Sequence, residues 1–286
     1  MAAFETPAPV ALTLELPYGD ARISATERDS TVVDARPSDA SNKHDVKAAE
    51  QTRVELSDGR LLVKVPRPRG WHSRGGGSVD VTIELPAGSH LNGTIGWGDL
   101  RCDGPLGDCR VRSGLGPVVL DEVASLRVKS GAGDVSAGRV AGKAEVTTGT
   151  GEVRLGDVGG AAVVKNSNGN TSVGAVAGDL RVNTANGNIA VESAGASVVA
   201  KSANGDVRVG EVARGAVALE THAGEVEVGI RAGSAAWLDA SAAAGRVRSE
   251  LDAADAPDAA AETVEVRART SLGDIVVRRA AAQPAR

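Results

Sequence analysis

The sequence predicts an all-β chain, folded as a right-handed β-helix or solenoid of about 18 residues per coil, with an irregular β-rich N-terminal cap. Three observations predict it. The first is a turn motif that returns on schedule: GAGDV at Gly131–Val135, GTGEV at Gly149–Val153, SNGNT at Ser167–Thr171, ANGNI at Ala185–Ile189, ANGDV at Ala203–Val207 and AGEV at Ala223–Val226. Its second glycines (Gly133, Gly151, Gly169, Gly187, Gly205 and Gly224) are spaced by 18, 18, 18, 18 and 19 residues, and a fixed period of this length marks a solenoid. The second is the pattern inside each copy. Apolar positions such as Val153, Leu155, Val158, Ala162 and Val164 step by 2, 3, 4 and 2; steps of two put side chains on one face of a strand, and the longer steps fall at glycine-bearing corners. The third is side-chain size. Aromatic residues are 2% of the chain and none lies in 113–230, so Val, Leu and Ala must fill a thin core without voids.

Each repeat is thus two short strands joined by two turns. Asn-Gly at 168–169, 186–187 and 204–205 suits backbone of positive φ. Hairpins could use the same dipeptide, but stacked coils pairing at about 4.8 Å explain why one pattern stays in phase over six copies. Right-handedness follows from the general rule for parallel crossovers. Thr148, Asn166, Thr184, Ser202 and Thr221 form a polar column at the end of the second strand, where stacked hydroxyl and amide groups can bond along the column.

Taken in order, Val10–Arg36 reads as two strands around the PYGD turn, Ser38–Asp45 as a polar loop, and Ala48–Leu56 as a strand or one helical turn. Asp58-Gly59 is a hairpin turn before RLLVKVP; Pro66–Ser78 is a flexible basic loop; Val79–Leu85 is an alternating strand. The period starts faintly at Gly96–Leu100 and is clearer at Gly114–Val118. Leu251–Glu262 is an Ala/Asp-rich mobile loop, TVEVRARTSLGDIVVRR a last strand pair, and AAAQPAR a frayed tail. The resulting division is 1–90 for the capping region, 91–250 for the repeats and 251–286 for the loop, closing strands and tail. Exposed terminal strands need covering, which is the role expected of both end regions.

The composition narrows function. A formal net charge of −5 and a pI near 5.5 give no general basis for nucleic-acid binding. No apolar run reaches the roughly 20 residues of a membrane span. The first residues lack the basic start and apolar core of a secretory signal, so a cytoplasmic location is the expectation, with the cell surface reached only by another export route. His44, His72, His90 and His222 are scattered surface residues in no catalytic motif. Cys102 and Cys109 flank DGPLGD; they pair in an oxidising compartment and stay free in a reducing one. The G-x-G-D turns resemble a calcium-binding nonapeptide, but the acidic position reads Asp134, Glu152, Asn170, Asn188, Asp206, Glu225, and two asparagines interrupt what a calcium column needs. Turn capping by Asp or Asn is the expected role. We therefore expect no catalytic residues, no cofactor and no metal site.

What remains is surface. Lys129, Lys165, Arg181 and Lys201 point outward from the second strand and form the candidate partner-binding face, for an unidentified protein or an extended polymer. End-to-end self-association, as in a surface adhesin or a polymer-forming scaffold, is the alternative. A carbohydrate-active β-helix enzyme is a third reading and would require clustered acids on one face.

The coil G-[DEN]-V-x-V-G-x-V-x-G-x-[LV]-x-V-x-[ST]-x-x-G, together with PVALTLELPYGDARI, GGSVDVTIELPAGS, GSAAWLDASAAAGRV and SLGDIVVRR, resembles a bacterial putative-adhesin β-solenoid family of actinobacterial type. The resemblance spans nearly the whole chain. It implies the fold and a binding or scaffold role, and it carries no catalytic residue.

Overall fold

A computed structural model describes residues 1–67, 76–251 and 262–280. The chain divides into two compact units between Ala141 and Gly142. His72, most of the basic loop, the Ala/Asp-rich loop at 252–261 and the tail at 281–286 lie outside the described residues.

The first unit holds β1 (Ala2–Glu5), β2 (Ala11–Tyr18), β3 (Ala21–Thr26), β4 (Ser30–Pro37), helix α1 (Lys43–Glu50), β5 (Arg53–Ser57), β6 (Arg60–Lys64), β7 (Val79–Pro86), β8 (His90–Trp97), β9 (Leu100–Leu115), β10 (Val118–Ala132) and β11 (Val135–Val140). Val10–Arg36 contains three strands, not two: chain reversal at Glu27–Asp29 separates β3 from β4. The PYGD turn between β2 and β3 is also no hairpin. β2 pairs in parallel with β6 and β8, and β3 pairs in parallel with β7 and β9. This makes β2–β3 a full coil whose turn matches the later ones, with Gly19 at φ +116 and Gly98 at φ +143. The irregular part is antiparallel: β1 on β4, β4 on β7, and β5 on β6. The β5–β6 hairpin turns at Asp58-Gly59, both at positive φ (49 and 70), as that dipeptide leads one to expect.

A helix stands where the sequence reading placed a polar loop and an ambiguous segment. Asn42 caps it, its side chain accepting from the His44 N–H at 2.9 Å. Asp45 in the first turn is buried and accepts from the Ser78 N–H at 2.9 Å and the Asp39 N–H at 3.2 Å. Cap, acidic first turn and the Ala48-Ala49 pair favour the helix. The eight-residue length hides the period from a sequence scan.

The second unit holds β12 (Ala144–Thr150), β13 (Val153–Val158), β14 (Ala162–Asn168), β15 (Thr171–Val176), β16 (Leu180–Asn186), β17 (Ile189–Ala194), β18 (Val198–Asn204), β19 (Val207–Val212), β20 (Gly215–Ala223), β21 (Val226–Ile230), β22 (Ala235–Ala244), β23 (Val247–Ser249), β24 (Thr263–Leu272) and β25 (Ile275–Arg279). Even-numbered strands from β12 to β20 pair in parallel with one another, as do odd-numbered ones from β13 to β21. Val164 lies between Val146 and Val182 in register, and all three are fully buried. The core is a set of such columns, closed by burial of β-branched side chains.

The order of coils departs from the order of sequence at the end of this unit. β24 pairs with β20 on one side and β22 on the other; β25 likewise lies between β21 and β23. The last strands in sequence are therefore inserted one layer in, and β22–β23 make the outermost coil. The first unit repeats the device: β2–β3, early in sequence, lies between β6–β7 and β8–β9.

Candidate functional site

The turns decide where side chains can project. Gly169, Gly187 and Gly205 have φ of +133, +137 and +139, as the Asn-Gly signature predicts. A Cβ on Gly187 would stand 2.2 Å from the Gly169 carbonyl oxygen, so coils meet backbone to backbone here. The polar column serves these turns. Asn166 Nδ2 donates to the carbonyls of Gly151 (3.0 Å) and Gly169 (2.9 Å); the hydroxyls of Ser202 and Thr221 donate to those of Gly187 and Gly205 at 3.1 and 2.8 Å. The column was expected to bond along itself. Asn166, Ser202 and Thr221 bond instead to the turn carbonyls, the Thr148 hydroxyl donates to the Thr150 carbonyl at 3.5 Å, and the Thr184 hydroxyl has no protein partner among the described residues.

The Asp/Asn position caps backbone, as expected, but across coils rather than locally. Asn170 Oδ1 accepts from the Asn188 N–H, Asn188 Oδ1 from the Asp206 N–H, and Asp206 Oδ1 from the Glu225 N–H, each at 2.9 Å. Side chains so engaged offer little to a cation. Among the described residues no three His, Cys, Asp or Glu side chains gather as a metal-holding group. His44, His90 and His222 are exposed, and His90 Nδ1 accepts from the Asp108 N–H at 2.9 Å. Cys102 and Cys109 are free and each only 1% exposed. Burial pushes both thiols up, Cys109 to about 12, so neither is a nucleophile at neutral pH.

Lys165, Arg181 and Lys201 lie on the outer face of three consecutively paired strands, β14, β16 and β18, and all are exposed. They occupy two neighbouring columns. Lys165, Asn183, Lys201 and Glu220 form one; Val163, Arg181, Val199 and Ala218 form the other, two residues back along each strand. Lys201 Nζ bonds Glu220 at 2.6 Å. Among the described residues no ion pair engages Lys165 or Arg181. Lys129 is exposed on β10 of the first unit, in register with Arg112.

Sequence reasoning missed three surface features. Glu220 answers Lys201 from the next coil, a pairing visible only once register is known. Asp239 receives Arg269 at 2.6 Å and Arg267 at 3.3 Å, because β22 and β24 are neighbours. In the first unit Tyr18 and Trp97 meet edge to face, 6.3 Å between ring centres and 71° between planes. They border a hollow of about 470 Å³ that also touches Pro17, Arg67, Gly96 and Gly114. Trp97, in GWGDL, is 62% exposed; its place on an alternating strand was the available signal.

Repeating two-strand coils, parallel ladders and glycine turns define the second unit as a parallel β-solenoid. The family model for Toastrack DUF4097 matches residues 11–278, and the chain belongs to that family. No curated protein matches the chain. Solved structures similar to it include a putative cell adhesion protein from Clostridium sporogenes, at 12% identity over 97% of this chain and 98% of that one, TM-score 0.24. A putative adhesin from Bacteroides fragilis is 10% identical over 96% and 95%, TM-score 0.32. A putative lipid binding protein from Parabacteroides distasonis is 9% identical over 97% and 95%, TM-score 0.28. Among the described residues no helix is long and apolar enough to cross a membrane.

Proposed function

We propose that this chain is a non-enzymatic binding or scaffold β-solenoid that engages an extended protein or polymer along its outer strand faces. One observation carries the reading: exposed cations recur on consecutive paired strands, at Lys165 on β14, Arg181 on β16 and Lys201 on β18. Neighbouring strands are about 4.8 Å apart, so an extended partner running across them meets a cation at each step. Such a surface spreads its contribution over several coils, as repeat proteins commonly do, and each exposed charge adds about 1 kcal/mol or less. Lys129 of the first unit belongs to the same proposed set. The acid–base pairs of a glycosidase need two carboxyls facing one bond; on this face Glu220, Asp239 and Glu265 are each met by a cation, and Glu145 stands four strands from Glu220 along the ladder.

The test is capture of native partners by the intact chain against a variant with Lys129, Lys165, Arg181 and Lys201 all changed to Gln. Capture should fall while the circular dichroism spectrum and melting temperature hold. Unchanged capture would reduce this face to solvated surface. Turnover of a polysaccharide by the purified chain would overturn the non-enzymatic reading.

A further inference from the structure

Among the described residues, the outermost coil of the second unit leaves both its core and its backbone open. Follow one interior column: Leu180, Val198, Val217 and Val266 are each 1% exposed or less, and the next residue, Leu238 on β22, is 39% exposed. In the facing run Ile189, Val207, Val226 and Ile275 are equally buried, and the next residue, Val247 on β23, is 47% exposed. Trp237, beside Leu238, is 72% exposed and borders a hollow of about 480 Å³ with Leu238, Val264 and Val266.

The far edge of β22 is unpaired among the described residues. The Ala235 N–H donates to the Glu262 carbonyl at 2.9 Å. Alternation along the strand then points the N–H and C=O groups of Ala236, Leu238, Ala240 and Ala242 away from β24. Edges of this kind are ordinarily guarded by Lys, Pro or a bulge. AAWLDASAAA has no such guard, and its one charge, Asp239, is already met by Arg267 and Arg269. In the first unit, by contrast, β6 and β7 are covered by the antiparallel β5 and β4.

We infer that β22 is the contact edge of a homodimer, paired antiparallel with β22 of a second copy. What the edge lacks is a strand and, behind it, an apolar column end at the same spacing. A second copy supplies both. A two-fold axis normal to the strand run reverses the partner strand and keeps interior facing interior, giving a closed, isologous contact. Centred on Ala240, the register sets Leu238 against the small Ala242 and Asp239 against Ser241, so Asp239 does not face itself. This inference stands apart from the charged face and survives the failure of that reading.

The experiment is light scattering on the full chain across a concentration series, with Leu238→Lys, Ala240→Pro and Ala240→Cys. Wild type should double in mass from the 28.8 kDa of one chain. Leu238→Lys and Ala240→Pro should stay at monomer mass; the Ala240 N–H makes no bond within the chain in this register, so proline is tolerated on the edge. Ala240→Cys should form a covalent dimer on mild oxidation, a readout that does not depend on disrupting the contact. A monomeric wild type, an open series of larger species, or dimers that survive both Leu238→Lys and Ala240→Pro without an Ala240→Cys cross-link would each overturn the inference.

Discussion

Adding one methyl group at Gly187 tests the stacking of coils directly. At φ +137 an alanine pays about 1–2 kcal/mol for left-handed backbone alone. Its Cβ would lie 2.2 Å from the Gly169 oxygen and 2.6 Å from its carbon, well inside contact, and both are backbone atoms that cannot rotate aside. Relief requires the two turns to separate. That strains the bonds bridging those turns: the Gly169 N–H to the Asn186 carbonyl (2.9 Å), the Thr171 N–H to the Asn188 carbonyl (2.8 Å) and the Asn188 N–H to Asn170 Oδ1 (2.9 Å). At about 1 kcal/mol for each bond lost, the total for Gly187→Ala is about 4–5 kcal/mol. Gly233, in the same unit, is the control: φ is +85 and nothing lies within 4 Å of a built Cβ, so Gly233→Ala should cost about 1–2 kcal/mol. Thermal and urea melts followed by circular dichroism compare the two. Equal shifts would refute the claim that backbone contact between turns, rather than backbone conformation, excludes a side chain at Gly187.

Val164→Asp places an unpaired carboxylate between the buried Val146 and Val182 and should lower stability by several kcal/mol, roughly 3 or more, in the same melts; the exposed neighbour Lys165→Asp should stay within about 0.5 kcal/mol. Asn166→Ala removes the donor shared by the Gly151 and Gly169 carbonyls and should cost about 2 kcal/mol, with Asn166→Thr recovering part of it, since Thr221 in the same column donates to the Gly205 carbonyl. Burial opposes ionisation of Glu227, but hydrogen bonds from Arg278 and Arg208 outweigh it and hold its pKa below the usual 4.5. A depressed carboxylate pKa stabilises the fold above the unfolded value, and the gain is lost as pH falls through the folded one; the melting temperatures of wild type and Glu227→Gln should therefore converge in acid and separate above pH 5. Cys109, with its thiol pushed up to about 12, should resist iodoacetamide in the native chain at pH 8 and react on unfolding; rapid native alkylation would contradict its burial.

The repeating unit can be read from the residues alone. Equivalent residues in stacked coils occupy equivalent environments, so the glycine period, the Val/Leu/Ala columns and the positive-φ turns all appear as spacing, and outward positions such as Lys165, Arg181 and Lys201 follow from alternation. Register relations within the ladder were nearly as legible: Val164 against Val182 is simply an 18-residue step. Which coils are neighbours at the ends is settled by the folded chain. Period detects equivalence, not adjacency. Strands 79 residues apart, as in Ala11 against His90, or 28 apart in reversed order, as in Val247 against Ile275, pair because an open edge accepts any strand that presents matching N–H and C=O groups, and hydrogen bonds carry no record of sequence order. The polar column's choice of turn carbonyls, the inter-coil reach of Asn170 and Asn188, and the bare edge of β22 depend on that three-dimensional order. A linear pattern cannot contain them.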